Sequence, residues 1–130
     1  MQPDTHPNID SELCGTLREL SDGQAVVELR TIARMAADDR GLVHGGFVFG
    51  LADYAAMLSI NHPNVVLGAA ETRFVAPVVV GDTLVATAVA QPAEGKKLPV
   101  EVVVLRGEDR VFQGRFICFT PGEHVLGGGQ

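Results

Sequence analysis

The stretch Leu42-Val43-His44-Gly45-Gly46-Phe47-Val48-Phe49-Gly50-Leu51-Ala52-Asp53 decides how the chain is read. It opens an apolar segment that runs to about Ile60, in which Asp53 is the single carboxylate from Gly45 onward. As a helix this segment is apolar on nearly every face, so it belongs inside protein rather than on a surface. A carboxylate there costs free energy unless it is satisfied or its pKa rises. At the helix start, His44-Gly45-Gly46 offers backbone N–H groups unobstructed by side chains, at the positive end of the helix dipole. Such groups suit a carbonyl oxygen that is gaining negative charge. One stretch thus supplies an oxyanion binder and an acid/base or nucleophile.

Spacing decides how the two work together. Gly45 and Asp53 lie about 12 Å apart along a helix axis at ~1.5 Å per residue. Within one chain they do not easily act on the same carbonyl. An antiparallel copy of the helix across a two-fold axis brings Asp53 of one subunit beside Gly45 of the other. The spacing therefore predicts a homodimer with two shared sites, and two-fold dimers are the commonest assembly.

The remaining composition sets bounds. With 130 residues, 46% hydrophobic and 20% charged, the chain is expected to form a single domain, 1–130, with a real core and flexible tails at 1–10 and 124–130. A formal net charge of -6 argues against general nucleic-acid binding. Cys14 and Cys118 stand in no metal or redox motif and read as free thiols of a reducing compartment. The polar residues Met1 to Asp10 show no signal-peptide pattern. No apolar run reaches the ~20 residues that span a bilayer. A cytoplasmic protein without membrane attachment is expected. The histidines show no metal-ligand spacing, so neither metal nor cofactor is expected.

Working outward, Leu13 to Leu20 reads as a first strand, Ser21-Asp22-Gly23 as a turn and Gln24 to Arg30 as the hairpin partner. Thr31 to Ala37 suggests a short helical turn, and Asp38-Asp39-Arg40-Gly41 a polar loop into the central helix. The helix should stop near Asn61, because Pro63 disfavours helix at His62. Val65 to Val80 reads as a long strand interrupted or edged at Pro77. Thr83 to Val89, Leu98 to Leu105 and Val111 to Thr120 read as further strands. Their short turns imply antiparallel pairing. An α+β layout follows, with a sheet wrapped on one side of the buried helix.

With these residues in view, Leu42-Val43-His44-Gly45-Gly46, five residues, then Leu51-Ala52-Asp53 resembles the signature of hotdog-fold acyl-CoA thioesterases, most nearly the phenylacetate-degradation (PaaI-like) type. The segment Glu71 to Leu84, with Phe-x-x-Pro and Gly-Asp-x-Leu, looks like that family's next strand. The resemblance implies a hotdog fold, an antiparallel sheet around one long helix, assembled as a homodimer or homotetramer. It implies that the Gly45 amide polarises the thioester carbonyl, that His44 and Gly46 shape the turn, and that Asp53 is nucleophile or general base. Two positions depart from the family pattern. Asp38 stands where an asparagine is frequent, and a carboxylate accepts hydrogen bonds but does not donate unless protonated. Leu67-Gly68-Ala69-Ala70 lacks the hydroxyl often found after the helix.

Further substrate contacts are weighed one by one. Phe47, Phe49, Met57 and Phe74 are candidates for the acyl pocket, with core packing an equal rival. Glu71 is a candidate for the groove, with a solvated strand position the stronger rival. Coenzyme A carries phosphates, so Lys96 and Lys97 at a hairpin, and Arg106 and Arg115, are candidates for a basic rim. The ordinary alternative for Asp53 is an ion pair with Arg73 or Arg34. Three activities fit such a domain: thioester hydrolysis, non-catalytic acyl-CoA binding or sensing, and hydration chemistry. The last needs a catalytic histidine in motifs not found here. Regulatory relatives carry an added DNA-binding helical segment, which does not fit before Leu13.

Overall fold

The computed structural model describes residues 1–127. A short helix α1 (Ser11–Cys14) is followed by β1 (Thr16–Ser21), β2 (Gln24–Arg30) and a 3-10 turn at Ala33–Met35. Then come the long helix α2 (Gly45–Ile60) and strands β3 (Val66–Phe74), β4 (Thr83–Ala90), β5 (Leu98–Arg106) and β6 (Asp109–Phe119). The strands form one six-stranded antiparallel sheet in the order β1-β2-β4-β5-β6-β3. This is the hotdog arrangement. No helix among the described residues is long and apolar enough to cross a membrane.

Alternation along the strands builds the core. Ala25, Val27 and Leu29 of β2, Leu84, Ala86 and Ala88 of β4, and Val100, Val102 and Val104 of β5 are all buried on the helix side. On α2, Val48, Leu51, Ala52, Ala55, Ala56, Met57 and Leu58 are buried against them. The many alanines on both partners let the helix lie close to the sheet. Ser59, the buried hydroxyl of α2, donates to the Ala56 carbonyl at 2.7 Å. Asn61 ends the helix in the left-handed region, with φ 51, and its N–H donates to Met57.

Three expectations shift. Leu13 and Cys14 are helical, not strand: Asp10 caps α1 by accepting from the N–H groups of Glu12 and Leu13, and Gly15 turns the chain at φ 107. The long strand from Val65 stops at Phe74, and only a bridge between Leu42 and Val79 remains beyond it. Pro77 lacks an N–H, and its neighbours bond elsewhere: Val75 and Ala76 both donate to Val111, while the Val78 carbonyl accepts from Val43. The amino-terminal residues, expected as a tail, are tied to the end of α2. The Asn61 side chain donates to the Gln2 carbonyl at 2.9 Å and accepts from the Asp4 N–H at 2.6 Å, and Thr5 is 7% exposed. Of the expected carboxyl-terminal tail, residues 128–130 lie outside the described residues.

Candidate functional site

The start of α2 is set by its neighbours' backbones. The His44 N–H donates to Met35, Val43 to Val78, and Val80 to Gly41. Asp38 Oδ1 accepts from the N–H groups of Arg40 at 2.9 Å and Leu42 at 3.1 Å, so this carboxylate shapes the loop that leads into the helix. His44 stands at the cap in an extended conformation and makes no side-chain capping bond. The first-turn N–H groups of Gly45 and Gly46 therefore stay open at the positive helix end. Both glycines are closed in by rings. A Cβ on Gly45 would come within 3.1 Å of the Phe74 ring, and one on Gly46 within 3.0 Å of the His44 ring. The cleft of about 240 Å³ beside them is lined by Leu42, Gly45, Val48, Phe74, Val75 and Pro77, among others.

Asp53 lies two turns further along α2. Its Oδ1 is buried and has no hydrogen-bond partner, and burial pushes its pKa up to about 6. The ion-pair alternatives are filled otherwise. Arg34 pairs with Glu12, and Arg73 lies on the sheet's outer face beside Glu101, Arg110 and Arg115. Among the described residues no salt bridge reaches Asp53. Two thiols feel its charge. Cys118 is pushed up to about 12, first by burial and then by Asp53, while Cys14 is raised by burial, Asp10 and Asp53. Neither cysteine was legible as a neighbour of Asp53, because the contacts join β6 and α1 to α2 across the fold.

The other expected contacts divide. Phe74 is 55% exposed at the cleft, and Phe47 packs edge-on to His44 with ring centroids 6.1 Å apart. Met57, a candidate for the acyl pocket with core packing as an equal rival, is 1% exposed and belongs to the chain's own core. Phe49 turns inward, with its ring 5.5 Å from that of Phe116. Glu71, a candidate for the groove with a solvated strand position as the stronger rival, lines the outer-face cavity, because β3 alternates and Glu71 pairs with Arg115 on the side away from α2. Arg115 itself is held by Glu94 at 2.7 Å and Glu101 at 3.2 Å. Arg106 donates to the Pro77 carbonyl and lies 3.3 Å from Asp82, a structural clamp rather than a free cation. Lys96 borders a separate groove of about 480 Å³ with Val66, Leu98 and Phe119, and Lys97 is exposed on the same hairpin.

Residues 40–113 match the model of the thioesterase superfamily. The chain belongs to that superfamily. Protein PH1136 of Pyrococcus horikoshii superposes with a TM-score of 0.96 at 51% identity, covering 98% of both chains. The Escherichia coli PaaI protein superposes with a TM-score of 0.76 at 27% identity, covering 86% of this chain and 83% of that one. These two and the family match bear out the sequence resemblance. A 112-residue stretch is 50% identical to a protein of Aquifex aeolicus named methylthioribose-1-phosphate isomerase, covering 86% of this chain and 25% of that protein. Transcription factor FapR of Caldanaerobacter subterraneus subsp. tengcongensis is 30% identical over 91% of this chain and 60% of its own length. The chain thus spans between a quarter and three fifths of those two relatives.

Proposed function

We propose that this superfamily member hydrolyses an acyl-CoA thioester to a free acid and coenzyme A, at sites shared between two copies of the chain. One observation carries the reading: a half-buried carboxylate, one oxygen of which is buried and unpartnered, stands on the same helix that opens with two bare glycine amides. The Gly45 N–H binds the carbonyl oxygen. Asp53 of the other copy takes a proton from water as the water oxygen attacks the carbonyl carbon. Collapse of the tetrahedral intermediate breaks the C–S bond, and the leaving CoA thiolate takes that proton from protonated Asp53. A pKa of about 6 suits a base working near neutral pH.

Support for two copies comes from the free edge and an apolar rim. β3 ends the sheet, with Gly68, Ala69 and Ala70 exposed along it. Leu42, Phe74 and Val75, which line the cleft, and the nearby Val79 are each at least 40% exposed, an apolar rim that a second copy could cover. The test is thiol release from short, aromatic and long acyl-CoAs. Asp53→Asn should lower turnover about 10²–10⁴-fold, the usual worth of a general base, with the dimer mass retained. Undiminished turnover in Asp53→Asn rules the assignment out.

A second reading is acyl-CoA sensing without turnover. It is favoured by the likeness to a transcription factor over 91% of the chain and by the hydroxyl-free segment Leu67–Ala70. Saturable binding of acyl-CoA with no thiol released decides for it.

A further inference from the structure

On the sheet face away from α2 lies a cavity of about 720 Å³. Strand register orders its side chains. One row runs Glu101, Arg115, Glu71 across β5, β6 and β3, and the next runs Val103, Gln113, Arg73. Arg110 lines the same cavity from the start of β6, and its Nη1 donates to Gln113 Oε1 at 2.8 Å.

The two rows differ in sign. Arg115 is held by Glu94 and Glu101 and lies opposite Glu71, so three carboxylates surround one cation. The cations of the second row have no such partners. Arg18, Arg34, Arg106 and Arg115 each pair with a carboxylate, but among the described residues no salt bridge reaches Arg73 or Arg110. Gln113 orders Arg110 without neutralising it. With Oε1 taken by Arg110, the amide NH2 of Gln113 is left as a donor. This end of the cavity therefore presents two guanidiniums and an amide NH2, all donors, in a chain of net charge -6.

A group that satisfies such an end is rich in acceptors and carries more charge than one carboxylate. A phosphoryl group does both, and guanidinium forks match its oxygens bidentately. The rest of the cavity bounds the rest of the ligand. Glu71, two residues from Arg73 on the same strand face, and Glu101 oppose a second phosphate and accept from hydroxyl or amine groups. Half-buried Val103 gives an apolar patch beside Gln113. We propose that this cavity binds a phosphomonoester, its phosphate between Arg73 and Arg110 and its hydroxyl- or amine-bearing body toward Glu71 and Glu101. The site lies across the sheet from α2 and does not depend on the hydrolase reading.

Calorimetric titration of the full chain with ribose 5-phosphate, ribose, AMP and ATP tests it. Ribose 5-phosphate and AMP should bind saturably, ribose should not bind, and ATP should bind several-fold more weakly than AMP. Arg73→Gln and Arg110→Gln should each weaken AMP about tenfold or more, the scale of a hydrogen bond to a charged group. Both arginines are exposed, so the variants should keep the wild-type unfolding temperature. Arg30→Gln, which removes an exposed cation of β2, should bind AMP like wild type. Absence of saturable binding overturns the proposal, as does AMP affinity unchanged in either cavity variant, or ATP binding as tightly as AMP. Displacement of AMP by CoA but not by dephospho-CoA assigns the arginines to the 3′-phosphate of CoA and overturns a ligand of its own. A smaller mass of Arg73→Gln by light scattering assigns them to contact between copies and overturns it as well.

Discussion

Asp53 keeps its proton to higher pH than an exposed aspartate, because burial and not a charged neighbour dominates its surroundings. Two consequences follow for one residue. As a general base it is active when ionised, so kcat/KM should rise with pH, reach half its plateau near pH 6 and stay level above. A rate that falls across that range contradicts the base role. For stability the sign is the reverse. The folded chain binds more protons than the unfolded one between the ordinary value of 3.8 and about 6. The contribution is full below the lower value and is lost as pH climbs through the upper one. Over that window the loss is roughly 3 kcal/mol at most. Relative to Asp53→Asn, wild type should therefore have a higher urea midpoint at pH 4 than at pH 8.

At the scale of elements, the ends of the helices hold most of the local information. Asn61 combines a left-handed backbone with two side-chain bonds to the amino-terminal strap. Asn61→Ala should cost about 2 kcal/mol in urea unfolding, and Asn61→Gly, which keeps the conformation but not the clamp, about half of that. Gly15→Ala should cost about 1–3 kcal/mol, because a positive φ and contact with Val27 both oppose a Cβ. The central helix was legible because its apolar run, preceding Gly-Gly and following Asn-His-Pro all agree, and its bounds lie where the pattern puts them. Helix α1 was missed. The apolar positions Leu13, Leu17 and Leu20 fit more than one period, and the cap at Asp10 was passed over. Met57 shows the same limit at a side chain, since an all-apolar helix carries no mark separating groove from core. The strap on Asn61 joins residues 57 and 59 positions apart, beyond any local pattern.

For the whole molecule, a shared site makes a demand that no single chain meets. Gly45→Pro removes the donating N–H at a first helical position where proline is tolerated, and the extended His44 before it is compatible. Gly45→Pro and Asp53→Asn should each be inactive alone. Unfolded and refolded as an equal mixture, they should recover about a quarter of wild-type turnover, because half the two-fold dimers then hold one intact pair. A site contained in one chain recovers nothing. Val75→Asp, placing charge on the exposed apolar rim, should yield a monomeric mass and background turnover together. The spacing along the helix is the ground on which a two-chain site is proposed. Sequence reading did not supply the sheet order, which depends on pairings between strands far apart in the chain.

That order has a consequence for synthesis. β3 follows α2 directly yet pairs with β6, whose first residue is Asp109. On a ribosome, β3 emerges early and waits without its ladder while two strands and their turns are made. The apolar rod of α2 waits with it, half covered. Closure is thus a late event, after β6 clears the exit tunnel, and the nascent chain carries its apolar surfaces uncovered until then.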